Sequence, residues 1–348
     1  MANRKNHHFV PQFYFHLFSG KEDCINVLHR ATGRVIKNGP IKSQASKNLF
    51  YGSDTIEEAL GIMEGAASAA LKKLVELQNP MVVDHEEVDV ILAWLALQRA
   101  RTQAARQASQ LSQDIMLRLH LEVQINNDKT LSDEKARELK DSLSEISSNP
   151  AHNQALQMKV AMQASGAMGD LVQIMLLNRT NRPFIFSDAP VVFYNAYYRK
   201  VVDQGVLGMD TAGLMIFFPL GPQLTLVLLD GGCYAVKKMR NHQIQLRDLR
   251  DIAALNKLQI HAATHCAYFD DATMERYVAN LWEEEKRSLS DHTGRVVEGP
   301  SFDARTGESL GDIVHSFQPQ LPYDLRLSFL EYQEADEKTF SFSRSDRC

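Results

Sequence analysis

Two adjacent imidazoles open the chemistry of this chain. The run His7-His8-Phe9-Val10-Pro11-Gln12-Phe13-Tyr14 sets them in an otherwise apolar, aromatic segment, and imidazole is the side chain best suited to gaining or losing a proton near neutral pH. On an extended segment neighbouring side chains face opposite ways, so one of the two histidines shares the inward face with Val10, and parity assigns that place to His8. A buried histidine bonded to a backbone carbonyl fits the same pattern, so a site needs partners from elsewhere. His7 and Gln12 flank His8 as possible substrate contacts.

Helical periodicity supplies such partners. Ile56, Leu60, Met63, Ala67, Leu71 and Leu74 form an apolar stripe, and Glu64 falls on or beside it. A carboxylate in that position is costly unless paired. Val88, Ile91, Leu92, Trp94 and Leu95 define a second apolar face, which turns polar at its end through Gln98, Arg101 and Thr102. In a later helix Leu249, Ile252, Ala253, Ile260 and Ala263 form the stripe with Asn256 at its centre. Each of these polar groups can also serve to satisfy loop carbonyls and helix ends. Their recurrence on three helices suggests convergence on one pocket. A strand ending in Ser187-Asp188 before Ala189-Pro190 adds a carboxylate able to bind a metal, orient a histidine or pair with Arg101, although Ser-Asp-Xaa-Pro is also ordinary turn chemistry.

The elements that must position these residues read as α+β: a layer of long helices packed against a small mixed or antiparallel sheet in one main domain. Cys24 to His29 and Arg34 to Lys37 flank Ala31-Thr32-Gly33 as a β-hairpin. Asp54 or Thr55 caps a helix to about Gln78, and Asp84 caps a long one to about Val123. Residues 126–150 look like an exposed helical excursion, and a further helix is expected over about 151–177. Short β-rich runs follow at 184–186, 191–193, 214–218 and 224–229. A helix at about 246–263, a strand at 265–269 and a helix at 273–287 complete a domain over 1–287, with a looser extension over 288–348.

Composition narrows the function classes. The chain has 348 residues, 44% of them hydrophobic, and a formal charge of -5 from 38 basic and 43 acidic residues, which argues against a generic nucleic-acid-coating surface. A local basic stretch remains at Lys237, Lys238, Arg240, His242, Arg247 and Arg250. Cys24, Cys233, Cys266 and Cys348 lie far apart, so neither a zinc knuckle nor a disulfide framework is indicated and a reducing cytoplasm is expected. Met1 to Lys5 is followed by histidines instead of an apolar signal core, and the apolar stretch Leu214 to Leu229 is broken by Pro219, Gly221 and Pro222, so no membrane association is expected. Phosphate-loop, dinucleotide, His-Glu-Xaa2-His and Gly-Xaa-Ser-Xaa-Gly motifs are absent.

Seven segments in order carry a resemblance. They are His7 to Tyr14, the Thr32-Gly33 hairpin with Asn48-Leu49-Phe50-Tyr51, Ile56-Glu57-Glu58 to Glu64-Gly65, Gln98 to Arg101-Thr102, Pro183 to Val191, Phe218-Pro219-Leu220-Gly221-Pro222, and Leu255-Asn256. Over about residues 6–270 the chain resembles the DUF4238 family, departing from its usual pattern at Phe15, Phe186 and Gly221. The resemblance implies a bacterial or phage-associated cytoplasmic protein and carries no established activity. The opening His-His-Xaa-Xaa-Pro also resembles the start of a His-Asn-His nuclease, over five residues only.

Two functions suit these residues. One is a metal-dependent hydrolase of phosphodiesters, in which His8, Asp188 and Glu64 hold Mg or Mn or act as acid and base, while His7, Gln12, Gln98, Arg101, Ser187 and Asn256 bind nucleic acid or a small phosphorylated ligand. The other is a non-catalytic sensor or interaction module that uses the same pocket for a small polar ligand or a partner protein.

Overall fold

Capping side chains set the helix boundaries in the first half of the chain. The computed structural model describes residues 6–20, 22–302, 308–333 and 343–344. The chain begins with β1 (Asn6–His8), α1 (Gln12–Ser19), β2 (Cys24–His29), β3 (Val35–Pro40) and β4 (Ser46–Asn48). β1 pairs antiparallel with β4, and β2 with β3. In the β2–β3 turn Gly33 has φ 68° and an added Cβ would stand 2.3 Å from the Trp282 ring, so both the left-handed backbone and the close approach require glycine.

Helix α2 (Asp54–Leu77) starts from Ser53, whose hydroxyl accepts the Ile56 N–H, so the cap lies just before the expected Asp54 or Thr55. Helix α3 (His85–Ala100) follows Asp84 as expected but stops at Arg101, and α4 (Gln103–Asn127) begins anew. The single helix expected over 84–123 is therefore two. Thr102 is extended, its hydroxyl accepts from Ala105 N–H at 3.2 Å and donates to the Arg99 carbonyl at 3.0 Å, so it closes one helix and opens the next. Helix α5 (Asp133–Ser142) has no buried residue, in keeping with an exposed excursion. Helix α6 (Pro150–Gln163) ends well before Leu177. After a 3₁₀ turn at Ser165–Met168 the chain enters β5 (Val172–Asn178), where both faces are covered by apolar layers, a setting in which a buried strand and a buried helix look alike in sequence.

The second half supplies the sheets. It contains β6 (Phe186–Ser187), β7 (Val192–Tyr194), β8 (Met215–Gly221), β9 (Leu224–Leu229), β10 (Tyr234–Val236), β11 (Gln243–Leu246), α7 (Leu249–Ala262), β12 (Cys266–Phe269), α8 (Glu275–Glu285), β13 (Arg295–Phe302), β14 (Ser309–Phe317) and β15 (Leu330–Tyr332). A five-stranded sheet has the order β11-β5-β9-β8-β7, parallel only between β11 and β5, and an antiparallel four-stranded sheet has the order β3-β2-β12-β6. The larger sheet is covered on both faces. Ile216, Phe218, Leu226 and Leu228 join the core formed with α1, α2 and α3, while the alternating Met215, Phe217, Val227 and Leu229 join the one formed with α7. The arrangement is α+β.

The stretch after residue 288 behaves in two ways. β13 and β14 form a hairpin, whereas Leu321, Leu325, Leu327 and Phe329 are buried in the α7-side core. No helix among the described residues is long and apolar enough to cross a membrane.

Candidate functional site

Strand β1 stops at His8, and the parity argument stops with it. Phe9 donates its N–H to the Ala45 carbonyl and both Phe9 and Val10 are buried, so alternation does not continue across residues 9–10. His7, not His8, is the fully buried imidazole. Its ring stacks on Tyr51 at 5.7 Å and its Nδ1 accepts the Tyr51 N–H at 3.2 Å. His8 is half-buried at the rim, with Nε2 3.1 Å from the Lys42 carbonyl and 3.5 Å from the amide nitrogen of the exposed Gln12. The carbonyl contact requires the proton on Nε2 and leaves Nδ1 as an acceptor. Burial lowers the His8 pKa, against the opposing pull of Lys42 and Glu64, and so favours the neutral ring.

Below this rim lies a bonded cluster built by the packing of α2 on α3. Arg101, at the end of α3, has 0% of its surface exposed. Its Nη1 donates to Glu64 Oε1 at 2.8 Å, Nη2 to the His8 carbonyl at 2.6 Å, and Nε to the Tyr51 hydroxyl at 3.0 Å. Burial works against the Arg101 charge, but the Tyr51 oxygen and the Glu64 carboxylate outweigh it and hold the pKa above the usual arginine value. Burial likewise pushes Tyr51 up to about 12. One turn before Arg101, Gln98 donates to the Phe9 carbonyl at 2.9 Å. Two buried polar atoms of α3, Gln98 Oε1 and Trp94 Nε1, have no hydrogen-bond partner among the described residues. His8, Glu64, Gln98 and Arg101 are thus neighbours.

Ser187, Asp188 and Asn256 belong to a different cluster. Asn256 accepts the Ile185 N–H at 3.0 Å and donates to the Pro183 carbonyl at 2.9 Å and to Tyr277. Gln259, one turn along the same helix, accepts from both the N–H and hydroxyl of Ser187 and donates to the Pro190 carbonyl. Asp188 is buried, and its carboxylate accepts the N–H groups of Thr264 and His265 at 2.7 Å each and of Cys266 at 3.2 Å. Burial pushes the Asp188 pKa up, and these three bonds oppose that rise. The trio fastens β6 and its following turn to α7 and β12. The expected ligand set of His8, Glu64 and Asp188 is therefore not assembled, because Asp188 spends its lone pairs on backbone N–H groups in another part of the fold. Among the described residues no group of three His, Cys, Asp or Glu is placed to hold a metal ion.

Sequence reasoning passed over Tyr51, Trp94 and Gln259. Tyr51 stood in the Asn48-Leu49-Phe50-Tyr51 segment, and Gln259 repeats Asn256 at helical spacing, a signal that was available. It also passed over the approach of Cys266 Sγ to His29 Nδ1 at 3.9 Å. Burial and Asp188 push that thiol up to about 12, which makes it a poor nucleophile. Of the basic stretch, Lys238, Arg240, Arg247 and Arg250 line one open cavity beside β11. Lys237 pairs with Glu331, Arg250 with Asp248, and His242 bonds the Gln173 carbonyl.

The family described as "Protein of unknown function (DUF4238)" matches residues 6–273. The chain belongs to the DUF4238 family. No curated protein and no solved structure matches it. All of the family-like segments lie between β1 and β12, and most divide between the two clusters: the His7 to Tyr14, Tyr51, Glu64 and Gln98 to Arg101 segments build the first, and Pro183 to Val191 with Asn256 build the second, while the Thr32-Gly33 turn and Phe218 to Pro222 lie outside both. The β13–β14 hairpin and the segment 321–330, with its buried Leu321, Leu325, Leu327 and Phe329, lie beyond the DUF4238 match.

Proposed function

We propose that this DUF4238 protein is a non-catalytic binding module whose rim at His8 and Glu64 recognises a small polar molecule rich in hydrogen-bond donors. The observation that carries this reading is the enclosure of Arg101: its guanidinium is spent on Glu64, Tyr51 and the His8 carbonyl and is shielded from water, so it is not offered to a phosphate. What the rim offers is acceptors. Glu64 keeps 26% of its side chain exposed, and the neutral His8 ring presents Nδ1. Acceptors beside a negative charge favour ammonium and amide groups.

Phosphodiester hydrolysis with Mg or Mn is the competing reading. It keeps His8 and Glu64 as base and acid but lacks the carboxylate of Asp188 and an accessible arginine. Calorimetry and thermal unfolding with spermidine, a donor-rich cation, separate the two. Saturable binding that His8→Ala weakens supports the module. Absence of spermidine binding, together with manganese-dependent cleavage of RNA or DNA that His8→Ala abolishes, would establish the hydrolase instead.

A further inference from the structure

Several partly buried arginines have no carboxylate partner among the described residues, and one of them, Arg99, opens on a groove. Arg99, in the last turn of α3, lies at the meeting point of a narrow cleft and an open groove of about 850 Å³ bounded by α4, α6, residues 207–211 and the end of β14. Its Nη2 donates to Gln318 Oε1 at 2.7 Å and its guanidinium carbon stands 4.1 Å from the centre of the Phe193 ring. No carboxylate among the described residues comes within 4.0 Å of it, whereas Arg101, two residues on, has Glu64. Desolvation holds the Arg99 pKa down to about 10, which still leaves it charged at neutral pH. Beyond the bond to Gln318, four of its five N–H donors have no protein partner among the described residues, so they are available to an anion.

The rest of the groove is mainly apolar. Leu156 and Val160 on α6 are 57% and 53% exposed into solvent, and Met209 and Phe317 continue the lining. Gln113 also lines the groove, but its unpartnered Oε1 is buried. The carboxylate in the wall, Asp210, receives the Ser343 hydroxyl and so is already engaged. A cavity of this volume, apolar with a few fixed polar groups, has the proportions of a small-ligand site. Because α3 turns by about 100° per residue, Arg99 faces away from the side that carries Gln98 and Arg101, and this groove is distinct from the His8 rim.

We infer that the groove binds an amphipathic monoanion of the medium-chain carboxylate class, with its carboxylate on Arg99 and its chain along Leu156, Val160 and Met209. A bidentate carboxylate matches the free donors of the guanidinium, and the chain covers apolar surface that no other part of the described structure covers.

The test is calorimetry of the full chain with dodecanoate below its micelle concentration, alongside dodecyltrimethylammonium, which has the same chain and the opposite charge. The expected result is saturable one-to-one binding of dodecanoate and at least about tenfold weaker binding of the cation. Arg99→Gln should weaken dodecanoate at least about tenfold, and Arg99→Lys should weaken it less than Arg99→Gln, because it keeps the charge but loses the bidentate fork. Val160→Glu, an exposed change on α6, should weaken it by placing a negative charge along the chain path. No saturable dodecanoate binding, equal affinity for the two amphiphiles, or an Arg99→Gln variant that melts like the parent and binds undiminished would each overturn the proposal. If Arg99→Gln fails to fold, Arg99→Lys and Val160→Glu decide alone, since undiminished binding in Val160→Glu would also overturn it.

Discussion

The guanidinium of Arg101 is fully enclosed, yet it reaches the half-buried carboxylate of Glu64 at 2.8 Å and so ties the end of α3 to the middle of α2. The same guanidinium holds the carbonyl of His8, which joins the N-terminal segment to both helices. The position of the His8 rim therefore depends on this pair. Removing one partner leaves a buried charge uncompensated, which costs about 3–5 kcal/mol when both groups are fully buried. Because Glu64 keeps a quarter of its surface in water, Glu64→Ala is expected at the lower end, about 3 kcal/mol, in urea unfolding. Glu64→Gln, which retains an acceptor, should lose less. A loss below about 1 kcal/mol for Glu64→Ala would mean that water replaces the carboxylate and that the pair does not organise the rim.

Asn256 offers a contrasting case. Its side chain makes bonds to the backbone of Ile185 and Pro183 and to Tyr277, so it is a hub between α7, α8 and the approach to β6. Asn256→Leu strands those buried groups at about 1–3 kcal/mol. The melting temperature should fall while spermidine and dodecanoate binding at 25 °C stay as in the parent. Lost binding with unchanged melting would instead place Asn256 in a pocket.

Asp188 tests the metal question directly. Its three N–H partners all face a carboxylate, and in Asp188→Asn the amide NH2 must oppose at least one of those donors. Hydrogen bonds to a charged group are worth about 1.5–3 kcal/mol, so a loss of that order is expected. Any manganese affinity measured by calorimetry should be the same in parent and variant. A variant of parental stability that has lost manganese binding would return Asp188 to a ligand set.

The periodic arguments reached Glu64, Gln98 and Arg101 because a polar residue on an apolar stripe must find a partner, and a stripe is visible in sequence. They also drew in Asn256 by the same logic, without distinguishing a side chain that meets another side chain from one that meets a backbone carbonyl. That distinction is tertiary: nothing local to Ser187-Asp188 says that the N–H groups of residues 264–266 will arrive beside it. The histidine pair was misassigned for a local reason, since a strand of three residues is too short for parity to carry from residue 8 to residue 10. Thr102 could have been read as a helix start, because threonine caps helices, but good helix formers continue on both sides of it and concealed the break. Arg99 was invisible as a candidate, because its interest lies in the carboxylate it does not have.

Acidification should weaken the fold through its buried histidines. His8, His261 and His292 all have pKa values lowered mainly by burial, His261 beside Glu285 at 3.0 Å and His292 on the Ala263 carbonyl at 2.9 Å. Each is neutral in the folded chain at a pH where the unfolded chain, with its ordinary value near 6.5, already takes up a proton. The unfolded state therefore binds more protons below pH 6.5, and stability is full above that value and is lost as pH falls from it through the lowered folded values. Asp188 and Asp270, raised by burial, have the opposite sign: their contribution is present at low pH and lost as pH rises through their folded values. The histidine part is isolated by difference. His292→Gln keeps a donor for the Ala263 carbonyl and cannot be protonated, so its melting temperature should fall less than the parent's between about pH 7 and 5. Parallel curves for the two proteins across that range would show that His292 protonates without cost in the folded state.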